Sequence, residues 1–152
     1  MRKNLCLLAV MLSLFCTDLF SQKDTVHKKE GSIFPEDIVK PRMRIIIDND
    51  FGGDPDGLFQ LVQHLLSPSV EIRGIIGSHL RAGDSFDPSK ETAANAKKKI
   101  EEILGIMNWG KTYNIYQGSN FALQSDSTAQ PSAAANAIIK EAMRDDTRLP
   151  LY

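Results

Sequence analysis

The sequence predicts an α/β fold, and three observations predict it. An apolar run, Arg44-Ile45-Ile46-Ile47, is bounded by Pro41 and a glycine-rich turn. Apolar residues then recur at helical spacing from Leu58 to Leu66. A second apolar run, Val70 to Gly77, follows Pro68. Strand, helix and strand over about thirty residues make a βαβ unit, whose strands lie parallel and whose crossover is right-handed.

Arg44 to Asp50 reads as a buried strand, because three consecutive isoleucines suit a strand covered on both faces. Leu58, Leu61, Val62, Leu65 and Leu66 form the stripe of an amphipathic helix that ends before Pro68. Lys90 to Met107 reads as a second helix, with Ala93, Ala94, Ile100, Ile103 and Leu104 toward the sheet and Lys97-Lys98-Lys99 toward solvent. Tyr113 to Tyr116 is a short strand closed by Gly118, and Ala133 to Met143 a third helix opened by Pro131-Ser132. Leu149 to Tyr152 starts a further apolar segment. The expected architecture is Rossmann-like, a mostly parallel sheet flanked by helices, and apparently truncated at Tyr152.

The first 21 residues read as a signal peptide: Arg2 and Lys3, an apolar core from Leu5 to Phe15, and a polar stretch from Ser21. That core is too short to span a bilayer stably, so no membrane span is expected. Bulky Phe15 before Cys16 disfavours a lipoprotein, and the expected location is periplasmic or extracellular. Both cysteines, Cys6 and Cys16, lie in the leader, so the exported chain has neither a disulfide nor a thiolate metal site. Losing Arg2, Lys3 and Asp18 moves the formal charge from −1 to −2. That balance provides no footprint for nucleic acid and points to a small-molecule partner. Residues 22–42 read as a polar linker, and 43–152 as one domain of modest core.

The chemistry concentrates in Asp48-Asn49-Asp50-Phe51-Gly52-Gly53-Asp54-Pro55-Asp56-Gly57. Four carboxylates within nine positions repel one another unless something positive sits among them, and a hard divalent cation is the natural candidate. Asp48 and Asp50, two apart at the carboxyl end of a strand, project to the same side if the extended backbone persists. In open α/β sheets that end binds ligands. Asp54 and Asp56 stand at the mouth of the next helix, where the macrodipole favours carboxylates even without a metal, and either can serve as a cap. An EF-hand reading fails because Phe59 occupies the position of the bidentate Glu and a strand precedes the loop.

This constellation resembles the amino-terminal signature of the inosine/uridine-preferring nucleoside hydrolases and their secreted relatives. The similarity extends through Gly74-Ile75-Ile76-Gly77, Thr92-Ala93-Ala94-Asn95-Ala96 and Tyr116-Gln117-Gly118-Ser119. The resemblance implies an N-ribosyl hydrolase with Ca²⁺ as cofactor and a nucleoside or related riboside as substrate. Asp48, Asp50 and Asp56 would be metal ligands and Asp50 the general base. Asp54, with His79 after the second strand and Asn95 in the next helix, would contact substrate. The family's acidic doublet falls on Asp54-Pro55 without gaps, or involves Asp56 with one or two extra residues in the turn. Relatives are about twice as long, and their later portion supplies a further calcium-binding Asp, a carbonyl ligand and a His. The chain alone is therefore expected to be inactive. A homo-oligomer is compatible with this reading.

Two alternatives stay open. One is a non-catalytic secreted fragment that binds metal or sugar. The other is a haloacid-dehalogenase-type phosphatase with Asp48 as nucleophile and Asp50 as acid/base, although Phe51-Gly52-Gly53 departs from that family's turn.

Overall fold

A computed structural model of the chain describes residues 39–110 and 112–152. The signal peptide and most of the linker lie outside the described residues. Three strands, β1 (Met43–Asn49), β2 (Val70–Gly77) and β3 (Ile115–Gln117), alternate with α1 (Asp56–Leu66), α2 (Thr92–Ile106) and α3 (Ala133–Ala142). The fold is α/β with a parallel sheet of order β1-β2-β3 and flanking helices. No helix among the described residues is long and apolar enough to cross a membrane.

The final residues extend the sheet. Arg44 N–H donates to Pro150 O at 2.8 Å, Ile46 N–H to Tyr152 O at 2.9 Å, and Tyr152 N–H back to Arg44 O at 3.0 Å. This parallel bridge places the 149–152 segment on the side of β1 opposite β2. Across the sheet the order therefore runs β3, β2, β1, terminal segment. The direction of strand addition reverses at β1, which makes its carboxyl end the topological switch point of the sheet.

Alternation along β1 divides its residues between two faces. Ile45 and Ile47 join Ile75, Leu61, Leu65, Ala96, Ile100 and Leu104 in one buried cluster, so α1 and α2 cover the same side of the sheet. Leu66, at the end of the expected stripe, is instead exposed, because it lies about 100° around the helix from Leu65, the residue of that turn that faces the sheet. Gly77 is needed at the contact with α2: a Cβ there would meet Lys97 N at 2.6 Å and Ala96 C at 2.9 Å. Backbone on both sides of that contact has no room to give.

The helix ends follow from sequence chemistry. Extended Ser67 precedes Pro68 and stops α1. Beyond α2, Asn108 takes φ +58°, Asn108 N–H donates to Gly105 O, and Trp109 N–H reaches Leu104 O at 2.7 Å. That is a Schellman closure with Asn in the left-handed position. Ser132 caps α3 by accepting the Ala135 N–H at 3.0 Å.

The opposite face carries charge. Arg44 on β1 is 5% exposed and pairs with Glu141 of α3. It also donates to Glu141 O at 3.1 Å and to Leu149 O at 2.9 Å. Between Ile45 and Ile46 the β1/β2 register slips, so that Ile72 and Gly74 pair with successive β1 residues and Arg73 is the extra one. Arg73 Nε donates to Glu141 at 3.2 Å, and Arg144 adds two longer bonds of 3.4 Å. Burial pushes the Glu141 carboxyl up, but the Arg44 hydrogen bond, then Arg73 and Arg144, hold it below the ordinary carboxylate value.

Two stability outcomes are expected. Arg44→Met, which strips Glu141 of its buried partner, should cost about 3 kcal/mol in denaturant titration, near the effect of Leu61→Ala in the other face. Glu141 has a depressed pKa in the folded state, so its contribution is complete above the unfolded carboxyl range and lost as pH falls through the folded value. Acid titration of the thermal midpoint should show that loss, and Glu141→Gln should flatten it.

Candidate functional site

The acidic loop joins β1 to α1 at the switch point, and backbone bonds hold it there. Gly53 N–H closes a tight turn onto Asp50 O at 2.7 Å, and Leu58 N–H and Phe59 N–H take Pro55 O. Asn49 braces both ends: its Oδ1 accepts the Asp50 N–H at 2.8 Å, and its Nδ2 donates to Gln60 Oε1 at 3.0 Å. Gly57 leaves room for that side chain, since a Cβ would meet Asn49 Nδ2 at 2.9 Å. Phe51 is 2% exposed and packs into the main core. It anchors the loop from below.

All four carboxylates are exposed. Asp48 accepts a hydrogen bond from the Ser78 hydroxyl just beyond β2. Asp54 and Asp56 face each other. A hydrogen bond that the protonated Asp54 donates to the Asp56 carboxylate, then the charge of Asp56 and more weakly that of Asp50, raise the Asp54 carboxyl above its ordinary value. None of the ion pairs among the described residues involves these four side chains. The donor set is thus oxygen-only and uncompensated, chemistry that fits a hard divalent cation. As placed, Asp54 pairs with Asp56 and Asp48 with Ser78, and no group of three or more His, Cys, Asp or Glu among the described residues closes on one point. Neither Asp54 nor Asp56 caps α1, whose N-cap is Pro55 with no side-chain bond. Asp56 lies in the first turn, favourably placed for the helix dipole.

His79 and Asn120 line a cavity of about 420 Å³ formed by the loops after β2 and β3, together with Arg81, Lys90, Thr92 and Phe121. Leu80 also lines this cavity and lies against the acidic loop, where a Cβ on Gly53 would meet it at 2.9 Å. Asn120 Oδ1 accepts the N–H groups of Ala93 and Ala94 at 3.0 and 3.2 Å, capping α2 from a distant loop. Asn95 Nδ2 donates to Asp87 at 2.8 Å and Ser89 at 3.2 Å, and its Oδ1 accepts from Lys98. Those bonds tie the 87–89 loop to α2. The Asn95 bond, then those from Ser89, hold the Asp87 carboxyl below its ordinary value.

Ser78, Phe51 and Asn49 are the residues of this site that sequence reasoning passed over. Only Asn49, placed between the two aspartates, had a local signal. The Ser78 bond depends on how β1 and β2 end side by side. Comparison with family models, with curated proteins and with solved structures gives no match.

Were Asp48, Asp50 and Asp56 to hold Ca²⁺, a proton on Asp54 would engage Asp56 and remove a negative charge beside the cation, so affinity would fall as pH drops through the raised Asp54 value and binding would release a proton. Calorimetry in two buffers of different ionisation enthalpy measures that release. Asp56→Asn should weaken binding and also return Asp54 toward its ordinary pKa. Phe51→Ala should cost about 3 kcal/mol of stability by opening a cavity under the loop.

Proposed function

We propose that the chain carries the ribose-binding side of an N-ribosyl hydrolase site of the nucleoside hydrolase type. The observation that supports this reading is the position of Asp48, Asp50, Asp54 and Asp56 at the carboxyl end of β1, where the strand order reverses, with no cationic side chain among the described residues to neutralise them. Asp48, Asp50 and Asp56 would hold calcium, which would supply charge to lower the pKa of a water and order ribose hydroxyls. Asp50 takes the proton of the attacking water as general base. The water oxygen bonds to the anomeric carbon while the N-glycosidic bond breaks, and the base leaves with the electron pair and acquires a proton. Ser78 orients Asp48 by donating to it, and Asp54 contacts a ribose hydroxyl.

A second reading is favoured by the exposure of all four carboxylates, since nothing among the described residues screens them from water. A non-catalytic module would hold cation or sugar at this loop and turn nothing over.

One assay series separates these readings. In a longer protein carrying this loop, release of free base from a nucleoside or nitrophenyl riboside, calcium-dependent and abolished by Asp50→Ala, is the outcome of the hydrolase reading, with no release by this chain alone. Calcium-dependent riboside binding without release is the outcome of the binding module. Hydrolysis of nitrophenyl phosphate through an aspartyl intermediate at Asp48 would overturn both in favour of a phosphatase. Export and a homo-oligomer belong to the same proposal and are read from fractionation and light scattering.

A further inference from the structure

The cavity of about 420 Å³ between the loops after β2 and β3 has the volume of a small-molecule site. Two of its polar side chains are held in place through their oxygens. Thr92 is 3% exposed, and its Oγ1 accepts the Leu80 N–H at 3.0 Å. Asn120 Oδ1 accepts from Ala93 and Ala94, and two N–H partners settle which end of that amide is oxygen. The hydrogens on Thr92 Oγ1 and Asn120 Nδ2 have no acceptor among the described residues. Both donors belong to the cavity lining.

The surroundings call for a neutral acceptor. The Ala93 and Ala94 N–H groups, which would otherwise draw an anion to the start of α2, are already taken by Asn120. Arg81 is 82% exposed and is paired with Asp84 at 3.0 Å, and Lys90 is exposed. The lining includes no carboxylate that would hold a cation. Its walls are apolar, formed by Leu80, Pro88, Ala122 and Phe121. Phe121 is 60% exposed, yet its backbone is fixed on both sides by Ser119, which accepts the Phe121 N–H at 3.0 Å and donates to Phe121 O at 2.7 Å. An aromatic side chain on an anchored backbone is a platform for a flat ligand.

We propose that this cavity binds a small neutral aromatic carbonyl compound, its oxygen accepting from Thr92 and Asn120 and its ring lying against Phe121 and Leu80. A carbonyl oxygen has two lone pairs and can take both hydrogens at once. A ligand of the same shape without the oxygen would leave both donors unpaired, which is the source of selectivity. Binding needs neither calcium nor a riboside, so it stands or falls separately from the reading of the acidic loop. Affinity should be indifferent to added salt, because no ion pair forms.

The test is an NMR titration of the full chain with acetophenone, without calcium, against three comparators. Toluene lacks the oxygen, benzoate adds charge, and uracil sets N–H donors beside its carbonyls. The expected result is saturable shifts of the Asn120 side-chain amide and the Phe121 backbone amide with acetophenone, a dissociation constant of about 1 mM, and binding about tenfold weaker for each comparator. Asn120→Asp keeps the oxygen that caps α2 and removes the donor, so it should weaken acetophenone about tenfold while leaving toluene unchanged. Phe121→Ala, at an exposed position, should weaken acetophenone and toluene alike. Thermal unfolding checks that each variant is folded. Absence of shifts at about 10 mM acetophenone, toluene binding as tightly, benzoate or uracil binding more tightly, or affinity indifferent to Asn120→Asp would each overturn the proposal.

Discussion

The buried pairing of Arg44 with Glu141 is the constraint on which the arrangement of this chain rests. One guanidinium on β1 reaches the side chain and backbone carbonyl of Glu141 and the carbonyl of Leu149. It thereby fixes α3 to the sheet and aligns the terminal segment for its hydrogen bonds to β1. Replacement by apolar residues of like volume would not reproduce this, because burying an ion pair gains little net stability yet strongly disfavours arrangements that leave either partner alone. The pair therefore acts chiefly as a register pin.

The position of the acidic loop is a consequence. With β2 on one flank of β1 and the terminal segment on the other, the loop emerges where no crossover helix roofs the strand ends, the place where open α/β sheets bind ligands. Four carboxylates there are costly in mutual repulsion, visible in the raised Asp54. The scaffold tolerates the cost because Phe51 and Asn49 clamp the loop through groups that carry no charge. Rigid neutral anchors around an uncompensated anionic tip suit a site that acquires its positive charge from a ligand.

The two faces of the sheet differ in how they are closed. One is a continuous hydrocarbon layer under α1 and α2, in which Leu61, Leu65, Ile100 and Leu104 are fully buried. The other is closed by a single helix and a charge network, and retains a cavity. Hydrocarbon packing fills space without directional demands. A network of guanidinium groups leaves gaps, because each planar donor must meet its acceptor in a set direction.

The sequence by itself determined the elements and the chemistry of the loop. Continuous apolar runs for the strands and a period of 3.6 for the helices, together with Pro68, Pro131 and Ser132, placed every strand and helix within a residue or two, since those signals are local properties of the chain. The acidic run was legible for the same reason: four like charges within nine positions stay close along the chain in any fold. Tertiary structure alone decided which face Arg44 entered, that Glu141 of a distant helix met it, and that Arg73 became the extra residue in β2. It also decided that Asn120 caps α2 and that Ser78 meets Asp48. Each of these joins residues far apart in the chain, through strand register and helix docking that no local pattern encodes. Phe51 shows the boundary most clearly: its residue type suits a core, but only the direction in which the chain turns after β1 sends it there instead of into solvent.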